Sequence, residues 1–178
     1  SPYPEFKWDP ANGFIENEAI LRADYIIHLA GAGIADKRWT SRRKKELYES
    51  RIHTADLLYK KCVELNSFPK AFISSSGINI YGMDSGAEVQ MENQGSLGKD
   101  FLAELCKDWE AAAMQFNKNG VRVVCFRTAA VLTKKGGGLP KMAFPAKLGL
   151  SAPLGKGDQY MSWIHVDDLV ALYLAALD

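Results

Sequence analysis

The sequence is short of cysteine, of charge excess and of long apolar runs, and each shortage removes a class of protein. Only Cys62, Cys106 and Cys125 are present, and no two form a C-x-x-C pair. Such a scattered, odd-numbered trio supports neither a disulfide framework nor a zinc site and suits a reducing compartment. Lys and Arg number 22 against 21 Asp and Glu, a net charge of +1. The basic excess of a dedicated nucleic-acid binder is missing. The longest fully apolar run, Leu169 to Leu177, has nine residues, whereas a bilayer span needs about 20. The opening Ser1-Pro2-Tyr3-Pro4 carries no basic n-region and no apolar h-region, the two marks of a secretory signal. The expectation is a cytoplasmic chain with no nucleic-acid and no membrane partner. No repeat and no low-complexity segment interrupts it.

What is present is the composition of a globular domain: 178 residues, 47% apolar and 24% charged. That length predicts one domain over residues 1–178. Tyr25 to Ala30, Lys70 to Ser74 and Val121 to Phe126 are short, apolar or β-branched runs bounded by turn residues, and they read as strands. Between the first two, Leu47, Ser50, Thr54, Leu58, Cys62 and Leu65 recur at helical steps, with Thr40 or Ser41 as N-cap. Between the second and third, Phe101, Leu105, Trp109, Ala112 and Phe116 form a second stripe, closed by Asn119-Gly120. Strand, helix, strand, helix, strand predicts an α/β fold with a parallel sheet, whose strands are covered on both faces. Ligands bind such sheets beyond the carboxyl ends of the strands. Ala30 to Gly33, Ser74 to Gly82 and Arg127 to Leu132 are therefore the segments to inspect. Residues 133–159, rich in Gly, Pro and Lys, are too long for a plain connector and read as a substrate loop. Tyr160 to Val166 reads as a late strand, and Asp167-Asp168 as the start of a carboxylate-capped helix over Leu169 to Leu177.

Several local signals are weaker than they look. Gly31-Ala32-Gly33 follows a strand, but the third glycine of G-x-G-x-x-G is missing and Lys37-Arg38-Trp39-Thr40 stands where an apolar helix should open. Gly149 to Lys156 has the wrong spacing for a Walker A loop. The basic run Arg38, Arg42, Arg43, Lys44 and Lys45 reads as a solvated face, with an anion contact as the alternative. His28, inside a strand, reads as a satisfied core residue. His165 with Asp167 and Asp168 is too few ligands for a metal site, and no metal is expected.

Taken in order, the segments resemble the short-chain dehydrogenase/reductase superfamily in its extended, epimerase-like branch. His28-Leu29-Ala30-Gly31 resembles the cofactor-side turn after its fourth strand. Phe72-Ile73-Ser74-Ser75-Ser76 with Tyr81-Gly82 resembles its catalytic-serine strand. Gly155-x-Gly157-x-Gln159 and Trp163 to Val170 resemble its late substrate-loop and H-V-D-D signatures. A nearer likeness is to the YfcH-type subgroup of atypical members, carried by Arg38-Trp39-Thr40, Ser50-Arg51-Ile52, Asp100-Phe101-Leu102-Ala103, Trp109-Glu110, Arg127-Thr128, Gly136-Gly137-Gly138 and Lys147-Leu148-Gly149.

The resemblance implies a Rossmann-like doubly wound sheet, a nicotinamide cofactor (NAD or NADP) and a small-molecule substrate of the nucleotide-sugar class, with a homodimer left open. It implies Ser76, Arg51 and Cys106 as catalytic candidates. Leu29, Ala30, Gly31, Ser74, Ser75, Arg127 and Thr128 become cofactor-lining candidates. Two departures stand beside it. Active members use Tyr-x-x-x-Lys; counting back from Glu110 puts Leu102 at the Tyr place and Cys106 at the Lys place. Leucine cannot exchange a proton, and a thiol does so only with a tuned pKa. The subgroup is known for these replacements. The family's helix Asn corresponds to Arg51, or to Ser50 if the match shifts by one. Second, the family's G-x-x-G-x-x-G loop is not found before Trp8-Asp9, which resembles the end of the third strand. The expectation is a chain lacking the first βαβ unit and the substrate-covering C-terminal region, and binding dinucleotide poorly. The expected function is an NAD(P)-dependent epimerase- or dehydratase-like oxidoreductase of undefined substrate. The alternative is a non-catalytic dinucleotide-binding or cell-division-linked scaffold.

Overall fold

Two of the strand-like runs lie side by side in the same direction. The structure, a computed structural model, describes residues 2–84, 86–93, 95–150, 157 and 159–178. It forms two compact units, Ser1–Ser76 with Glu104–Phe126, and Gly77–Ala103 with Arg127–Asp178.

In the first unit, β1 (Trp8–Asp9) pairs antiparallel with β2 (Phe14–Ile15) around a 3-10 turn, and α1 (Asn17–Leu21) follows. The main sheet has the order β3 (Tyr25–His28), β4 (Ala71–Gly77), β5 (Arg122–Thr128). β3 and β4 are parallel, with His28 opposite Ser74 at the end of the register. Ser75 and Ser76 thus continue past the last residue paired with β3, beside that strand's exit. The crossover between them is α2 (Ser41–Glu49) and α3 (Ile52–Glu64). Most of α4 (Phe101–Met114) belongs to this unit too. Phe72 and Phe116, both fully buried, stack with centroids 4.0 Å apart, and Leu47, Ile73, Cys62 and Leu105 complete a dry core. This is the apolar interior that continuous parallel strands require.

The single helix expected between the first two strands is two helices. The chain breaks at Ser50–Arg51, where both side chains turn toward the loop after β3. Thr40 is the N-cap, its Oγ1 accepting from the Arg43 N–H at 3.2 Å. Gly120, in the left-handed region, closes the segment after α4 as expected.

In the second unit, β6 (Ala130–Thr133) is central, antiparallel to β7 (Gly136–Gly137) and parallel to β8 (Trp163–His165). β7 and α5 (Gly138–Lys147) give regular structure to the first half of the segment read as a loop. The Gly149-to-Lys156 and Gly155-x-Gly157 readings lie largely outside the described residues. The last helix, α6, is Val166–Ala175; its cap is His165, whose Nδ1 accepts from the Asp167 N–H at 3.3 Å, rather than the expected carboxylate. Asp100 Oδ1 accepts from the N–H groups of Leu102 and Ala103 at 2.9 and 3.1 Å and holds the first turn of α4. Gly98 passes Gly82 so closely that a Cβ on Gly98 would lie 2.5 Å from Gly82 backbone atoms. Among the described residues, no helix is long and apolar enough to cross a membrane, and no group of His, Cys, Asp or Glu is placed to hold a metal ion.

Candidate active site

Alternation along β4 sends Ser74 and Ser76 to one side of the strand, and both are buried. Their hydroxyls have different employment. Ser74 Oγ, fully buried, donates to the Ser75 carbonyl at 2.9 Å. Ser76 Oγ donates to Glu110 Oε1 on α4 at 2.7 Å. Ser75 is half-buried. Cys106 is one turn before Glu110 on the same helix face, and the residue is buried, 5% exposed. Leu102, one further turn back, is likewise buried.

The turn after β3 is fixed from the helix break. Ser50 Oγ accepts from the Ala32 N–H, and Arg51 Nη2 donates to the Ala32 carbonyl, both at 2.9 Å. Arg51 Nη1 also donates to the Leu47 carbonyl at 3.1 Å, and its guanidinium lies 5.0 Å above the Trp109 ring. Its Nε, though buried, has no hydrogen-bond partner. Burial lowers the Arg51 pKa, the nearby Cys106 sulfur opposes that effect, and Arg43 adds to it. A Cβ on Gly31 would come 2.9 Å from Arg51 Cζ, so the absence of a side chain lets the loop lie against the guanidinium. Leu29 and Gly31 remain exposed, Leu29 by 63%.

His28 is the satisfied core residue its sequence position predicts. Its ring stacks on Phe72 and meets Trp109 edge-on. Trp109 Nε1, which can only donate, points at His28 Nδ1 at 3.5 Å, so Nε2 carries the proton and gives it to Thr54 Oγ1 at 2.9 Å. Thr54 passes its own proton back to the carbonyls of Ser50 and Arg51. Burial, then the Arg51 charge, pushes the imidazole pKa down to about 4. His28 is a neutral brace and not an acid–base group at neutral pH.

Arg43 departs from the solvated-face reading. It is buried, donates to the Gly33 carbonyl and pairs with Glu46 at 2.7 Å. Lys37, Arg38, Arg42 and Lys45 border an open cleft of about 800 Å³ shared with Glu46 and Glu49. In the second unit, Arg127 Nη1 donates to Tyr81 Oη at 2.7 Å and to the Glu92 carbonyl at 3.1 Å, and its guanidinium sits 5.3 Å from the Tyr81 ring centre. Thr128, half-buried, ends β5.

The structure therefore gathers the sequence candidates of the first unit into two clusters seated on α4. Ser76 meets Glu110, while Arg51 lies over Trp109 and clamps Ala32, next to the Leu29–Gly31 turn. Glu110 and Ser50 make contacts here that motif reading did not assign: it used Glu110 only to count back to Leu102 and Cys106, and Ser50 only as the alternative to Arg51. Their signals were present: Glu110 is spaced four residues from Cys106, and Ser50 precedes Arg51. An exposed apolar turn beside a polar strand end fits a flat heteroaromatic ring with a hydrogen-bonding edge. The turn and the strand end lie where α/β sheets bind ligands.

A parallel α/β sheet with its polar cluster at the carboxyl ends of the strands defines a Rossmann-like protein. The sequence model of the NAD dependent epimerase/dehydratase family matches residues 11–178, and the chain belongs to that family. An epimerase family protein of Mycobacterium leprae is 34% identical over 173 residues, covering 97% of this chain and 55% of its own. One from Staphylococcus aureus is 36% identical over 162 residues, covering 89% and 52%. The chain thus spans about half the length of these curated relatives. Among solved structures, a nucleoside-diphosphate sugar epimerase of Corynebacterium glutamicum superposes with a TM-score of 0.80 at 32% identity, over 96% of this chain and 35% of that one. A human epimerase family protein solved with NADPH gives 0.79 at 32% identity, over 88% and 53%.

Proposed function

We propose that the chain is part of an NAD(P)-dependent oxidoreductase of the epimerase type acting on a nucleotide sugar, with Leu102 and Cys106 in place of the usual Tyr and Lys. The observation that carries this reading is Ser76, buried on β4 just past the end of its pairing with β3 and hydrogen-bonded to Glu110 at 2.7 Å. Relatives support the class: one is named a nucleoside-diphosphate sugar epimerase, and another was solved with NADPH. When bound, the nicotinamide supplies the hydride acceptor. Leu29, Ala30 and Gly31 would offer it an exposed turn with Ser75 on the neighbouring strand, and the family resemblance adds Arg127 and Thr128 as cofactor-lining candidates. Ser74 would act by holding the strand, because its hydroxyl is spent on Ser75. Ser76 would hydrogen-bond the reacting oxygen of the substrate. Arg51, 6% exposed, would act through its positive field on developing negative charge, and the Cys106 thiol would lie beside that field.

The test is absorbance at 340 nm with the intact protein, NAD⁺ or NADP⁺ and a panel of UDP- and dTDP-hexoses. Ser76→Ala should lower the rate by about 100-fold or more, the scale of losing a preorganised oxygen-binding group. An unchanged rate overturns the assignment of Ser76. Tight dinucleotide binding without reduction across the whole panel points instead to a non-catalytic binder.

A further inference from the structure

A serine hydroxyl has one proton and two lone pairs, whereas an ionised carboxylate can only accept. At 2.7 Å the Ser76–Glu110 contact has the length of a charge-assisted O–H···O⁻ bond. The Ser76 proton is therefore turned toward α4, and its lone pairs are what a ligand meets. A serine held this way accepts from a substrate alcohol and cannot donate to a carbonyl. Leu102 and Cys106, the residues preceding Glu110 at four-residue steps on α4, are both buried, and leucine has no proton chemistry. Glu110 is half-buried, so it keeps a connection to solvent.

We propose that Glu110 is the positioning residue for Ser76: it fixes the serine proton and takes it up when the substrate alcohol is oxidised. The inference rests on the oxidoreductase reading above. In the step, the carbinol C–H bond breaks and its electron pair leaves as hydride to the oxidised nicotinamide dinucleotide. The substrate O–H bond breaks, its proton passing to Ser76 Oγ while the serine's own proton passes to Glu110 Oε1. The C–O bond becomes C=O. One hydride and one proton have left the alcohol, and the proton rests on a carboxylate. Ser76 now carries the proton it received from the substrate and points it at the new carbonyl, so the same path runs backward for reduction.

The experiment compares wild type, Glu110→Gln, Glu110→Asp and Ser76→Ala in two readouts. The first is single-turnover reduction of NAD(P)⁺ with the hexose panel, UDP-glucose first, together with the Kd of the dinucleotide. Glu110→Gln should lose about 100-fold or more in rate, within the range of general acid–base contributions, with KM and Kd within about threefold of wild type. Glu110→Asp should recover at least about a tenth of the rate. The second readout is the ¹³C carboxyl resonance of Glu110 in ligand-free protein at pH 7, assigned by its disappearance in Glu110→Gln; it should move in Ser76→Ala. A wild-type rate in Glu110→Gln overturns the proposal. So does equal loss in Glu110→Gln and Glu110→Asp with a lowered Tm, which marks a purely structural contact. A resonance that Ser76→Ala leaves unmoved also overturns it. If wild type neither binds dinucleotide nor reduces it with any hexose, the oxidoreductase reading fails and the proton-uptake step fails with it. The carboxyl resonance then decides the remaining claim, that Glu110 fixes the Ser76 proton.

Discussion

Residues 28, 54 and 109 form a chain in which each polar atom has one workable role. Trp109 can only donate, so His28 Nδ1 must accept; His28 Nε2 must then donate to Thr54. Protonating Nδ1 would aim two N–H groups at each other beside the Arg51 charge. The folded imidazole pKa is depressed to about 4, chiefly by burial, against 6.5 when exposed. The sign follows from proton counting. Between those two values the unfolded chain binds a proton that the folded one refuses, so stability rises with pH across that window. Well above pH 6.5 the term is constant. Lowering the pH from 6.5 to 4 should cost about 3 kcal/mol from this residue. Urea unfolding across pH 4–7 measures it, and His28→Asn should flatten the slope whatever it does to absolute stability. An identical slope in the variant would mean that His28 titrates normally.

At the scale of elements, legibility depended on whether the deciding force was local. α4 was readable because its apolar stripe, Phe101 to Phe116, and its Gly120 closure are written in consecutive residues. The break between α2 and α3 was not, because neither Gly nor Pro marks it. It is imposed by tertiary contacts: Ser50 and Arg51 are drawn to both polar groups of Ala32, 18 and 19 residues away in sequence. Arg51 interrupting the buried positions Leu47 and Ala55 was the available clue, since a charge on a core stripe must have a polar partner. The cap of α2, by contrast, was local and legible. Thr40 Oγ1 receives the Arg43 N–H, and Thr40→Ala should destabilise the protein by about 1 kcal/mol. Chemical denaturation reads this directly. Thr40→Ser, which keeps the hydroxyl, should recover most of the loss; no recovery would assign it to the methyl group instead.

For the molecule as a whole, the family and the parallel α/β order were legible because both are patterns of sequence order. The Ser76–Glu110 bond was not, because it joins a strand and a helix 34 residues apart through rotamers no motif encodes. Affinity for dinucleotide belongs to this largest scale, because it sums contacts from several elements. Rossmann-like proteins hold the pyrophosphate on the backbone N–H groups of a glycine-rich turn at a helix N-terminus. The 178 residues contain no G-x-x-G-x-x-G sequence. What they offer is the exposed Leu29–Gly31 turn and the Ser76 end of β4, which suit the nicotinamide end and leave the phosphates without that grip. Residues 1–178 alone should therefore bind NADPH with a Kd of about 1 mM or weaker, no more than about 4 kcal/mol of binding free energy. Isothermal titration calorimetry with NADPH and with NMN decides the point. NMN, which lacks the pyrophosphate bridge and the adenosine, should bind within about tenfold of NADPH, since the missing half finds little to hold it. A Kd for NADPH far below that range would place a phosphate-binding surface within these residues, and the open basic cleft beside α2 is where substitutions of Arg38 and Arg42 should then be made first.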